Sequence, residues 1–253
     1  MASSLASIAT YSDKLLDHKN IGDYSGALNG LQLANNGKVS RLAASVDVNL
    51  PVVKQAVASS IDLLVVHHGI GWSPLVPLTG KRYELIRLCI ENNLAIYSSH
   101  LPLDLHPQLG NNILLAKALG FNRSEPFFFE KGQNLGRKVK TNISRAELHK
   151  RLNKALGNVN SQLIAAGPAT CKNIGIVTGG AGNELAKAAN DGVDTFITGE
   201  GAHWTFSLAH ELGVNVFYGG HYLTETFGVK ALTANLAKKF RLPWQFIDIP
   251  SGL

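Results

Sequence analysis

The chain has 253 residues, 45% of them hydrophobic and 17% charged, a balance that fits a folded globular protein and excludes a disordered one. Lysine and arginine exceed aspartate and glutamate by six, and the pI is near 9.3; without a nucleic-acid-binding signature, basicity of that size selects no partner. No apolar run reaches the roughly 18–20 residues that span a bilayer, and two distant cysteines without CxxC spacing read as reduced and inert, so the expectation is a soluble cytoplasmic protein.

In chain order, the opening residues to about His18 carry Leu5, Ile8 and Leu15 in an amphipathic helical pattern rather than a leader peptide. Gly22 to Gly37 is a Gly/Asn-rich connection. Leu42 to Val46 is a short apolar strand, and Pro51 suits the first turn of a helix reaching about Ser60. Asp62 to Val66 is a buried strand that stops at His67 and His68. A loop with Gly69, Gly71, Pro74 and Pro77 leads to a helix from about Lys81 to Asn92, and Leu94 to Ser98 is the next strand. Pro102 makes His100 to Asp104 irregular, because proline is excluded from a helix interior. A helix from Asn111 to Leu119 closes at Gly120.

From Phe121 to Thr170 the texture changes. Three consecutive phenylalanines, Phe127 to Phe129, precede a basic turn region with Lys131, Arg137, Lys138 and Lys140. The bland reading of those charges is a solvated face; the sharper one is a surface for phosphorylated or nucleic-acid ligands. Ser144 and Glu147 form a capping box for a helix to about Leu156. Strands at Ile174 to Val177, Asp194 to Ile197 and Asn215 to Tyr218 then alternate with helices at Asn183 to Asn190 and His203 to Leu212, and a long helix runs from His221 to about Phe240. The alternation predicts α/β layers with largely parallel sheets.

The second series repeats the first. Leu42 to Trp72 lies over Ile174 to Trp204 at an ungapped offset of 132, and Ala95 to Asp104 lies over Val216 to Glu225 at 121. The expected organisation is a first α/β half (residues 1–125), a smaller intervening region (126–172) and a second α/β half (173–253). In both copies a histidine is followed four residues later by a carboxylate: His100 with Asp104, and His221 with Glu225.

In open α/β sheets ligands bind beyond the carboxyl ends of the strands, and every candidate here sits there. Adjacent imidazoles at a strand end point to opposite sides unless both turn to a shared ligand. On a helix, the spacing of four puts His221 and Glu225 on one face. Imidazole and carboxylate without thiolate suit Zn, Mn, Fe, Ni or Co. That many such ligands exceed what one tetrahedral ion takes and suggest two ions, which points to hydrolysis.

Together, His67-His68, Ser99-His100-x-x-Leu103-Asp104, Thr198-Gly199-Glu200 and Gly220-His221-Tyr222-x-x-Glu225 resemble the motifs of the NIF-three-like family, also called GTP cyclohydrolase 1 type 2 homologues or dinuclear metal-centre proteins. The resemblance implies two α/β halves and two divalent ions held by His67, His68, Asp104, His221 and Glu225, with Glu225 bridging. It also implies a ring-shaped hexamer built from dimers. His100, Glu200 and His203 match positions lining the same cavity, where His100 or Glu200 would shuttle a proton; Arg137, from a partly kept glycine turn, would help to bind a nucleotide. Gly69 and Pro102 depart from the family pattern, which has proline and asparagine there. The favoured function is a metal-dependent hydrolase acting on a nucleotide-like or phosphorylated small molecule. The alternatives are a non-catalytic metal-binding scaffold and, through the basic region, a DNA-associated role.

Overall fold

A computed structural model describes residues 2–72 and 77–253. Pro74, read from the sequence as part of the loop after the two histidines, lies outside the described residues. In chain order the elements are β1 (Ser3–Ser4), α1 (Leu5–Leu15), β2 (Gly30–Leu33), β3 (Lys38–Val39), β4 (Leu42–Asp47), α2 (Leu50–Ala58), β5 (Leu63–His68), α3 (Gly80–Glu91), β6 (Ala95–Ser98) and α4 (Leu101–Leu105). Then follow α5 (Asn111–Ala118), β7 (Glu125–Glu130), β8 (Gln133–Ser144), α6 (Arg145–Ala155), β9 (Gln162–Ile164), β10 (Thr170–Ile176), a 3₁₀ turn and α7 (Leu185–Asn190), β11 (Thr195–Thr198), α8 (Thr205–Leu212), β12 (Asn215–Tyr218), α9 (His221–Phe240) and β13 (Trp244–Phe246). They form two compact units: residues 1–103 with 228–249, and residues 104–227 with 250–253.

The first unit is built on a five-stranded sheet in the order β13-β4-β5-β6-β2, parallel except for the last strand. Its central strands are apolar without alternation because both faces are covered: Leu63, Leu64, Val65 and Val66 are all fully buried. Leu64, Val66 and Ile96 pack with Val52, Val53 and Ala56 of α2 and Cys89 of α3. Helix α2 begins where Asn49 accepts the Val52 amide at 3.0 Å, with proline inside the first turn.

The second unit holds a six-stranded sheet, β7-β8-β10-β11-β12-β9, in which β10, β11 and β12 are parallel and their flanking strands antiparallel. Ile174, Ile176, Ile197 and Phe217 pack with Leu115 of α5 and Leu148 and Leu152 of α6. Both units therefore share three consecutive parallel strands (β4-β5-β6 and β10-β11-β12) whose last member pairs with an antiparallel strand that precedes them in sequence.

Several expectations are corrected. The span 126–172 is not a separate region: β8 pairs with β10 along most of its length, so it belongs to the second sheet. Residues 228–249 belong to the first unit, because β13 pairs with β4. Strand β5 runs on through His68 instead of stopping at Val66. His100 to Asp104 is not irregular throughout, since Pro102 sits in the first turn of α4, where its missing N–H has no acceptor to serve. Only half of the capping box forms. Ser144 accepts the Glu147 amide at 3.1 Å, while the Glu147 carboxylate takes the Arg151 guanidinium at 2.8 Å instead of returning to the cap.

The strand ladders keep the expected offsets in part. Leu42 pairs with Leu63 and Ile174 with Thr195, which preserves the offset of 132. Leu63, however, pairs with Ala95 and Thr195 with Asn215, so the third strands correspond at 120 rather than 121. By ladder position His221 is equivalent to Leu101, and the two His-x-x-x-carboxylate segments are offset by one residue.

Candidate metal-binding residues

In the first unit three imidazoles converge. The possible ligand nitrogens of His67, His68 and His100 lie within 4.8 Å of one another, and the ring centroids are 4.8 to 5.6 Å apart. His67 and His68 occupy opposite sides of the pleat, yet at the end of β5 both rings turn to the same point. Each ring is held by its Nδ1. His67 donates to the Ser99 carbonyl at 2.9 Å, His68 to Asp47 at 2.8 Å and His100 to Asp23 at 2.8 Å. A carbonyl or carboxylate can only accept, so these bonds put a proton on Nδ1, and each ring in its neutral form then offers the Nε2 lone pair, the arrangement that hydrogen-bonded partners impose on metal-binding histidines.

Asp23 anchors His100 from the connection before β2. It also accepts the Tyr24 and Leu101 amides and the Asn29 side chain. Burial favours its neutral form, but hydrogen bonds from His100, Asn29 and Tyr24 prevail and hold the carboxyl below its usual range. Asp47 stands opposite His68 in the β4–β5 ladder, which explains the contact. Neither aspartate was singled out from the sequence. Asp47 carries a legible signal, because it ends the strand beside the histidines.

In the second unit, carboxylates gather around an imidazole of its own. His221 opens α9 with Nδ1 on Glu200 at 2.8 Å and Nε2 on Glu225 at 3.2 Å. Burial disfavours charge on this ring, but Glu225 and Glu200 outweigh it and push the pKa up to about 9. A divalent cation satisfies the same carboxylates by taking the place of the proton on Nε2, so this donor set fits a metal. Glu225 is 3% exposed and Asp104 8%, and Asn111 donates to Asp104 at 2.7 Å. Gly179 brings the backbone against this group at a φ of +73°; a Cβ there would fall on the Glu225 carboxylate. Its carbonyl accepts the Gly199 and Glu200 amides.

Other candidates lie differently. The His203 side chain is exposed in the turn before α8. Arg137 is spent on Ser124, with Nε on the hydroxyl and Nη2 on the carbonyl. Lys138 donates to the Asp191 carbonyl and Lys140 faces Glu125, so much of the basic cluster is engaged within the fold. Both cysteines are buried, and burial raises Cys89 to about 11, which leaves no thiolate donor. Gly69 is explained by Gln32, whose amide fills the Cβ position while accepting the Ile70 amide and donating to the Leu28 carbonyl.

The model of the Duf34/NIF3 (NGG1p interacting factor 3) family matches residues 4–251. The chain belongs to the Duf34/NIF3 family. Relatives agree. A GTP cyclohydrolase 1 type 2 homolog of Deinococcus radiodurans is 38% identical over 94% of this chain and 91% of its own length. A protein of the same name from Halobacterium salinarum is 39% identical over 96% of each. The crystal structure of TTHA1606 from Thermus thermophilus superposes with a TM-score of 0.90 at 31% identity, covering 99% of this chain and all of that one. The α/β fold is thus that of Duf34/NIF3 proteins, and the chain carries His and Glu clusters able to hold metal. Among the described residues no helix is long and apolar enough to cross a membrane.

Proposed function

We propose that His67, His68, Asp104, His221 and Glu225 hold two divalent ions, with Glu225 bridging, and that the protein hydrolyses a nucleotide-like or phosphorylated small molecule in the cytoplasm. The observation that supports this most is the convergence of three imidazoles, each with Nδ1 tied to an acceptor so that the neutral ring presents Nε2 to a ligand. Borderline ions such as Zn, Mn, Fe, Ni and Co suit these donors. Bound there, the ions supply Lewis acidity and make water nucleophilic near neutral pH. The protein's own part is to aim the ligands and to move a proton. Asp47 and Glu200 orient His68 and His221. His100, backed by the ionised Asp23, accepts the proton released as the substrate is attacked, at Nε2.

The test combines metal content by mass spectrometry with turnover of nucleotides and phosphoesters after reloading with Mn, Fe or Zn. Asp104→Ala and Glu225→Ala are expected to lose metal and activity together, and Asp47→Asn to weaken metal affinity about 10–100-fold. Turnover equal to the parent in both alanine variants sinks the proposal. A second reading, a non-catalytic metal-binding scaffold, draws on the burial of Asp104 and Glu225, which suits ions that stabilise the fold. Its signature is a large loss of thermal stability on chelation with no turnover of any substrate. The ring-shaped hexamer belongs to the same proposal and is tested by the mass in solution.

A further inference from the structure

We propose a ligand subsite beside His68, in the first unit: a cleft of about 250 Å³ that takes a planar N-heteroaromatic ring bearing an anionic group. Asp47, His68, Trp72 and Arg82 line it together with apolar Val48 and Ile70. Its size is below the small end of ligand pockets, which suits a mononucleotide at most and no longer molecule.

The aromatic wall is Trp72. Its ring packs against His68 and His100, with centroids 5.3 and 4.5 Å away, yet the residue remains 42% exposed. An indole braced on one side and open to solvent is a stacking platform for a flat ring. The anion-binding group is Arg82 on α3. Its Nη2 donates to the Ile70 carbonyl at 3.0 Å, which fixes the guanidinium in place. Among the described residues no carboxylate pairs with it. The other cations nearby are engaged: Lys54 and Lys81 share Glu84, and Arg87 takes Glu91. A fixed guanidinium with donors to spare matches phosphate geometry better than an ammonium does. Asp47, already holding His68, adds an acceptor for a ring N–H. A simple anion site would have no use for Trp72, and an apolar pocket none for Arg82 and Asp47.

This subsite rests on the proposed function only in naming that reaction's substrate class; its walls exist independently of any ion. Protein carrying Trp204→Phe and Trp244→Phe retains Trp72 as its one tryptophan. Guanosine 5′-monophosphate, guanosine and inorganic phosphate would be titrated against its fluorescence, with metal loaded and with chelator. The monophosphate should quench saturably below millimolar concentration in both states, guanosine at least fivefold more weakly, and phosphate not at all. Arg82→Gln should bring the monophosphate to the level of guanosine and leave guanosine unchanged. No saturable quenching in a protein of normal metal content overturns the subsite, as does a monophosphate affinity indifferent to Arg82→Gln. Arg82-dependent binding in a protein that turns over nothing keeps the subsite and removes the hydrolase reading.

Discussion

A side chain at residue 179 would have to share space with the Glu225 carboxylate. Gly179→Ala therefore combines a left-handed backbone, which costs about 1 kcal/mol for a non-glycine residue, with displacement of the buried Glu225 carboxylate. Its expected outcome is a folded protein, by circular dichroism, whose metal affinity in chelator competition drops at least tenfold. The ligand candidates could be read from the sequence because they advertise themselves: a histidine pair at a strand end, and His221 and Glu225 one helical turn apart. The groups that aim them could not. Asp23 is 77 residues from His100 and Ser99 is 32 from His67, so only the folded ladder and the returning connection reveal those contacts. Ser99 acts through its carbonyl, which no side-chain pattern encodes.

Among the elements, α6 offers the plainest test of a local rule. Ser144→Ala removes the acceptor for the Glu147 amide and should lower stability by about 1 kcal/mol, read from the urea midpoint. Strands and helices were mostly legible, since apolar runs and caps are local signals; β12 and α9 lie where the sequence puts them. Within the elements, the position of a residue outweighs its type. Pro102 argues against a helix interior but not against a first turn. Two polar residues argue against a buried strand, yet the β4–β5 ladder continues through His68 because Asp47 waits opposite. The repeat misled by a single residue, because matching histidines by type overrode the hydrogen-bond register.

For the molecule as a whole, ions that bind only the native state should stabilise it by mass action, about 2.7 kcal/mol at a free concentration 100 times the dissociation constant, and chelation should lower the melting temperature correspondingly. Acid should act through His18, which sits between Asp13 at 3.2 Å and Ser99 at 3.0 Å. Burial holds its pKa below the ordinary 6.5 despite the pull of Asp13. The unfolded chain then takes up the proton first, so stability is intact above about 6.5 and declines as pH falls toward the folded value. Urea midpoints at pH 7 and pH 5.5 should show a smaller drop for His18→Gln than for the parent. The division of the chain was the least legible feature, because it depends on β13, three residues from the far end that complete the first sheet beside β4. During synthesis that edge must wait. Roughly 140 residues separate Leu103 from Trp244, and at ~5–20 residues per second the ribosome needs ~7–30 s to deliver the missing strand. Until then the nascent first sheet presents an open, apolar template for any extended chain nearby, the situation in which chaperones are needed. A protein ended at Pro243 would keep that exposure permanently and should elute from size exclusion as aggregate.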